Sequence, residues 1–139
     1  MHNIISFNLS PSRGSFRKRG GIINPGLIVG EHNLADLDEP EVESIVDILR
    51  RRYLSNTFYT YIGDLLIYMP PFSGVSMYTD DDVAYYCENN AFDPDLKPHI
   101  YSFADRVYSN MLFWKRNQVV VMLGSSGSGK TINTKQFLR

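Results

Sequence analysis

Five apolar residues, Val119-Val120-Val121-Met122-Leu123, run without a break into Gly124-Ser125-Ser126-Gly127-Ser128-Gly129-Lys130-Thr131. This junction constrains the fold more than any other part of the chain. An apolar run bounded by Gln118 and a glycine reads as a short strand buried on both faces inside a parallel sheet. Thr131 to Arg139 is compatible with a helix. A strand, a glycine-punctuated bend and a helix in that order predict an α/β fold.

The bend satisfies the phosphate-loop pattern G-x-x-x-x-G-K-[ST] in full. At ordinary residue frequencies such a match arises in roughly one window in 25,000, so chance is a weak rival. Each residue type follows from the chemistry. Bare backbone must approach a polyphosphate, and glycine allows successive N–H groups of Gly124, Ser125, Ser126, Gly127, Ser128 and Gly129 to turn inward. The helix N-terminus that follows favours negative charge. Lys130 is expected to pair with the β and γ phosphates, and the Thr131 hydroxyl to coordinate Mg²⁺. A plain Gly/Ser turn would not need Lys-Thr at that offset.

With 139 residues the chain suffices for one ordinary domain. Its 43% hydrophobic and 21% charged residues exclude wholesale disorder and fibrous classes. A formal net charge of -1 gives no reason to expect a nucleic-acid partner, and no run approaches a membrane span. The single Cys87 excludes a disulfide framework, suits a reducing compartment and reads as a packing residue. His2, His32 and His99 are too scattered for a zinc site.

Charge divides the chain. Residues 1–30 carry +4 and no acid, while the remainder carries -5. Breakers crowd the first part, so 1–32 reads as a flexible basic leader, with a short extended piece at Gly26 to Val29, and 33–139 as the folded part. A transit peptide shares this composition, but no amphipathic helix passes through those glycines.

From Asp38 helical signals take over. Pro40 sits at a first-turn position, and Val42, Ile45, Val46, Leu49 and Tyr53 form the expected buried stripe. Arg50, Arg51 and Arg52 read as solvated charges at the helix C-terminus. Thr57–Tyr61 and Leu65–Met69 flank Gly63-Asp64 as a β-hairpin, ended by Pro70-Pro71. Asp80, Asp81 and Asp82 start a short helix, and as consecutive residues they cannot all face one ion. Ile100, Phe103, Ala104, Val107, Met111 and Leu112 mark a second amphipathic helix, ending near Lys115 and Arg116. His99 reads as a first-turn residue, and Trp114 as a hydrophobic contact.

From about Asp36 onward the ordered pieces resemble the myosin motor head. They are Leu37-Asp38-Glu39-Pro40, Leu49-Arg50-Arg51-Arg52-Tyr53, Tyr59-Thr60-Tyr61-Ile62-Gly63-Asp64, Pro98-His99-Ile100-Tyr101, Tyr108-Ser109-Asn110-Met111, Asn117-Gln118, and GSSGSGKTINTK from Gly124 to Lys135. Asn133-Thr134-Lys135 is the part that ordinary phosphate loops lack. The Tyr-Ile-Gly-Asp hairpin looks most like class III unconventional myosins.

The resemblance implies an α/β P-loop NTPase head whose ATP-driven cycle moves it on actin, in the cytoplasm and at the cytoskeleton. It implies ATP and Mg²⁺ as cofactors, with phosphates on Gly124 to Thr131 and Asn133 beside the nucleotide. The adenine side would be lined by Pro70, Pro71, Phe72 and Tyr78. Four positions depart from the family pattern. Pro70 stands where asparagine is usual, Ser73 where lysine is common, and Ser125 and Ile132 at two glutamate positions. Altered base preference or weaker affinity is the expectation. Only eight residues follow Thr131, so the resemblance implies a front portion that ends before the switch and actin-binding segments, with low solubility and little turnover alone. Asp64 and Glu31 each follow an apolar run, as an acid substituting for the missing Mg²⁺ ligand would, but one is claimed by the hairpin turn and the other by the leader. The alternatives are a non-hydrolytic interaction fragment of the same origin and a small P-loop nucleotide kinase. The kinase would need an acceptor site and a lid, and neither is visible after Thr131.

Overall fold

The structure is a computed structural model that describes residues 3–7, 33–37, 41–72 and 74–139. The expected extended piece at Gly26–Val29, together with Glu31, Asp38, Glu39, Pro40 and Ser73, lies outside them. The elements run β1 (Asn3–Phe7), a 3₁₀ turn (Leu34–Asp36), α1 (Val42–Leu54), β2 (Tyr59–Ile62), β3 (Leu65–Tyr68), α2 (Asp80–Glu88), α3 (Ile100–Trp114), β4 (Val120–Gly124) and α4 (Lys130–Phe137). Helices and strands mix along the chain as an α/β reading requires.

The hairpin forms where its residues predict. β2 and β3 pair with Ile62 opposite Leu65, so Gly63 and Asp64 make a two-residue loop. Gly63 takes φ 57°, and its N–H donates to Asn33 Oδ1 at 2.8 Å. Both faces of β2 are covered. Tyr59 and Tyr61 point one way, toward α3 and α4, where the Tyr61 hydroxyl lies 3.1 Å from Ser102 Oγ. Thr60 points the other way and accepts a 3.0 Å hydrogen bond from Arg52 Nη1 of α1. The core gathers between the hairpin and the helices on the tyrosine side, around Leu66, Ile100, Phe103 and Val107. Burying each such aliphatic side chain contributes roughly 1.5–3 kcal/mol.

Four expectations change. The run Val119–Leu123 does not lie inside a parallel sheet. The sheet order is β2-β3-β1-β4, its three described strand pairs are all antiparallel, and β4 stands at an edge. Val120 and Met122 pack on the core while Val121 and Leu123 are about half exposed, the alternation of a strand covered on one face. An unbroken apolar run cannot by itself report how many faces are covered.

β1 is the second change. The expected leader, residues 1–32, contains a strand that occupies the middle of the sheet. Asn3 to Ser6 pair with Tyr68 to Leu65, and Asn3 to Phe7 with Gly124 to Val120. Ladder hydrogen bonds to two neighbours outweigh the breaker-rich composition that follows Phe7. β1 joins β3 to β4, which have no direct pairing.

In α1 the stripe is rotated. Val42 and Val46 are exposed, while Ile48 and Arg52 are buried. Arg50 and Arg51 are exposed as expected, but the Arg52 guanidinium is drawn inward by the Thr60 hydroxyl. Fourth, Cys87 is exposed, not packed. The terminal turns of α3 also leave Leu112, Phe113 and Trp114 largely exposed.

Elsewhere the local signals hold. Thr79 and Asp82 close a reciprocal capping box at the start of α2, with Asp82 N donating to Thr79 Oγ1 at 3.1 Å and Thr79 N donating to Asp82 at 2.8 Å. These bonds from Thr79 hold the Asp82 carboxyl below its ordinary pKa. His99 is the N-cap of α3, one position earlier than a first-turn residue. Its Nδ1 accepts from Tyr101 N, and Ser102 Oγ accepts from His99 N.

Candidate nucleotide site

β4 ends at Gly124, and the chain bends through Ser125–Gly129 into α4. Gly124, Gly127 and Gly129 take φ values of 154°, 76° and 91°, conformations that side chains resist. The bend is drawn tight by Ser128, which is buried and whose Oγ donates to Ser125 O at 2.7 Å. The first amide bonded within α4 is that of Asn133, to Gly129 O at 3.0 Å. The amides of Lys130, Thr131 and Ile132 therefore precede the helix's own hydrogen bonding, at its positive end. Lys130 Nζ folds over the bend and donates to Gly124 O and Ser125 O, both at 2.7 Å. Thr131 is exposed.

The structure separates the residues expected on the adenine side. Pro70, Pro71 and Phe72 line an apolar groove of about 710 Å³ with Leu49 and Tyr53 of α1, and Gly127 of the bend stands at its border. Tyr53 shapes the segment, because its hydroxyl donates to Pro70 O at 3.4 Å and accepts from Phe72 N at 3.1 Å. Phe72 is almost fully exposed over this groove. Tyr78 is not there. Its hydroxyl sits 2.9 Å from that of Tyr59, and its ring packs near His99 and Tyr101, on the far side of the hairpin. Non-local aromatic packing decides this, and spacing along the chain carries no trace of it.

Asn133 lies on the inner side of the bend, against Gly129. It is fully buried, its Oδ1 accepts from Tyr59 Oη at 2.6 Å, and its Nδ2 donates to Gly129 O at 3.1 Å. With both ends of its amide engaged, it backs the bend from the protein interior. Sequence reading missed Tyr59, Tyr68 and Tyr53 as residues of this region. Tyr59 stacks on Tyr68 with centroids 4.8 Å apart, and a Cβ placed on Gly129 would lie 2.8 Å from Tyr68 Cε1. The alternation Tyr59-Thr60-Tyr61 was a signal for an inward-facing pair, but not for its partner on α4.

Burial sets the protonation of this cluster. Desolvation, then the neighbouring Tyr78, raises the Tyr59 pKa well above its ordinary value, so its hydroxyl stays a donor. His99, stacked on Tyr86 at 4.7 Å, is lowered to about 4 by burial, against a smaller opposing effect of its bond to Met77 O. It is therefore neutral at pH 7. Among the described residues no cluster of His, Cys, Asp and Glu is suited to a metal ion, and no helix is long and apolar enough to cross a membrane.

A hairpin-and-helix unit that closes on a glycine-bent strand–loop–helix defines the class, a mixed α/β scaffold. Comparison with known proteins gives the family. The profile described as Myosin head (motor domain) matches residues 31–139. Myosin-5 of Candida glabrata is 37% identical over 110 residues, covering 79% of this chain and 9% of that protein. Myosin type-2 heavy chain 1 of Schizosaccharomyces pombe is 33% identical, covering 84% and 8%. Unconventional myosin-Vb of Mus musculus is 34% identical, covering 84% and 6%. The chain belongs to the myosin head family, and it spans a tenth or less of the length of these relatives. β1 lies outside the matched residues.

Proposed function

We propose that this chain is the ATP-binding front portion of an actin-based motor head. The observation that carries the reading is the bend itself, in which three glycines at positive φ bring the chain from β4 to a helix N-terminus guarded by Lys130. The residues present fit a magnesium polyphosphate. Open space faces Gly127, the first-turn amides of α4 point out of the helix, and the Lys130 ammonium rests on carbonyl oxygens that an anion can replace. Lys130 would swing from Gly124 O and Ser125 O onto the phosphates, and the exposed Thr131 hydroxyl would hold Mg²⁺, which neutralises phosphate charge when bound. Pro70, Pro71 and Phe72 offer the base an apolar groove at the loop's border. Tyr78 and Asn133 act from behind it.

The departures from the family pattern tune this site. Pro70 contributes no amide donor, and its carbonyl is already engaged by Tyr53, so the groove holds a base by apolar contact more than by hydrogen bonds. Discrimination between ATP and GTP is then weak. Movement on actin and hydrolysis belong, on this reading, to the whole motor.

The test is equilibrium dialysis of MgATP against the 139-residue chain and its Lys130→Ala variant. Affinity should fall at least tenfold in the variant while its urea midpoint holds, since Lys130 is tied to loop carbonyls and not to the core. Equal affinity, or no binding by the unaltered chain, refutes the reading.

A further inference from the structure

We propose that Tyr59 is a positioning residue for the phosphate loop, acting through Asn133 on Gly129. The inference rests on the reading of Gly124–Thr131 as a phosphate site and adds to it a control element in the hairpin, 74 residues from Asn133 in the chain.

The chain of hydrogen bonds has a defined direction. A tyrosine carries one proton, and that of Tyr59 goes to Asn133 Oδ1 at 2.6 Å. Tyr78 must therefore donate to Tyr59 across their 2.9 Å contact. The Asn133 Oδ1 is thereby assigned as acceptor, which turns its Nδ2 toward Gly129 O at 3.1 Å. Gly129 O thus receives two donors from the same residue, the Asn133 backbone amide at 3.0 Å and the side-chain amide. A carbonyl with both lone pairs engaged has its peptide plane fixed. That plane carries the N–H of Lys130 on its other side, the first amide of α4.

Gly129 is also closely approached by a side chain of the hairpin. Tyr68, stacked on Tyr59, sits where the Gly129 side chain would be. Tyr59 and Asn133 are about as buried as residues become, at 1% and 0% exposure, so the bond between them is shielded from water. Donors at an anion site contribute most when they are already aimed. The Tyr59 hydroxyl supplies that aim without touching a phosphate.

The experiment uses Tyr59→Phe, Asn133→Ala and the double variant of the 139-residue chain, with MgATP and magnesium tripolyphosphate as probes. Loss of one buried hydrogen bond corresponds to about a fivefold change in an equilibrium constant. Tyr59→Phe should weaken both probes by about that factor, equally, because the loop and not the base groove is disturbed. Amide exchange at Asn133 should quicken while exchange in the β2–β3 ladder stays unchanged, a local effect that general destabilisation would not produce. The double variant should bind no more weakly than Asn133→Ala alone. If Tyr59→Phe proves poorly folded, Asn133→Asp keeps an acceptor for Tyr59 and removes the donor to Gly129 O. It should show the same equal loss for both probes. Unchanged affinity in Tyr59→Phe, additive losses in the double variant, or exchange that rises uniformly overturns the inference. Failure of the phosphate reading looks different: the unaltered chain binds neither probe, while exchange at Asn133 still reports whether Tyr59 holds Gly129.

Discussion

Replacing Gly129 by alanine tests the geometry of the bend more sharply than any change of charge. Two penalties meet at this residue. The first is conformational, since φ is 91° and an L side chain in left-handed backbone costs roughly 1–2 kcal/mol. The second is steric. The new Cβ would lie 2.8 Å from Tyr68 Cε1, well inside the 3.5–4.0 Å at which carbon atoms attract. Tyr68 cannot withdraw easily, because it is 4% exposed and stacked on Tyr59. Overpacking of that kind typically costs about 1–3 kcal/mol. Together the two amount to about 2–5 kcal/mol, a large part of an ordinary domain's stability. Gly127→Ala separates them. It has φ 76° and no atom within 4 Å of its would-be Cβ, so only the conformational penalty applies, roughly 1–2 kcal/mol. Urea unfolding of the two variants and the parent, compared at constant slope, measures the difference. Gly129→Ala should be the less stable by about 1–3 kcal/mol. Equal stabilities would refute the claim that Tyr68 packs against the loop's last glycine.

Two further outcomes are expected. Because burial lowers His99 to about 4, the folded chain binds fewer protons than the unfolded chain between pH 6.5 and 4. The stability His99 contributes is complete above pH 6.5 and is lost as pH falls through this window, up to about 3 kcal/mol in all. His99→Asn, which keeps a cap acceptor for Tyr101 N, should flatten that part of a denaturation-versus-pH curve; an unchanged curve would assign the acid sensitivity to other groups. Ile5→Pro should destabilise the sheet by roughly 1–3 kcal/mol, because proline removes a ladder donor from a strand paired on both sides. An unaltered urea midpoint would show that β1 is dispensable to the sheet.

Features that obey local rules are legible in the order of the residues. Gly63-Asp64 turns the hairpin because two residues of that kind suit a tight loop. Thr79 and the aspartates start α2 because an N-cap oxygen and acids answer unpaired amides. The bend from Gly124 to Gly129 follows from the left-handed backbone that glycine permits. Each depends on neighbours within about four residues, which is the range over which a sequence pattern has physical meaning.

What stayed hidden was decided by pairings across the chain. Val119–Leu123 looks the same whether one face or two are covered, and only the arrival of β1 from residues 3–7 set its surroundings. Arg52 is indistinguishable from Arg50 and Arg51 until Thr60 stands beneath it. Tyr78 and Asn133 lie far from Tyr59 in the chain, yet it engages both through hydrogen bonds that join residues 19 and 74 positions apart. The sequence by itself determined the family, the turns and the shape of the loop, because conformational preference is local. Tertiary structure alone decided which side chains face the loop and which brace it from behind, because burial and hydrogen bonding are settled by whatever the fold brings alongside.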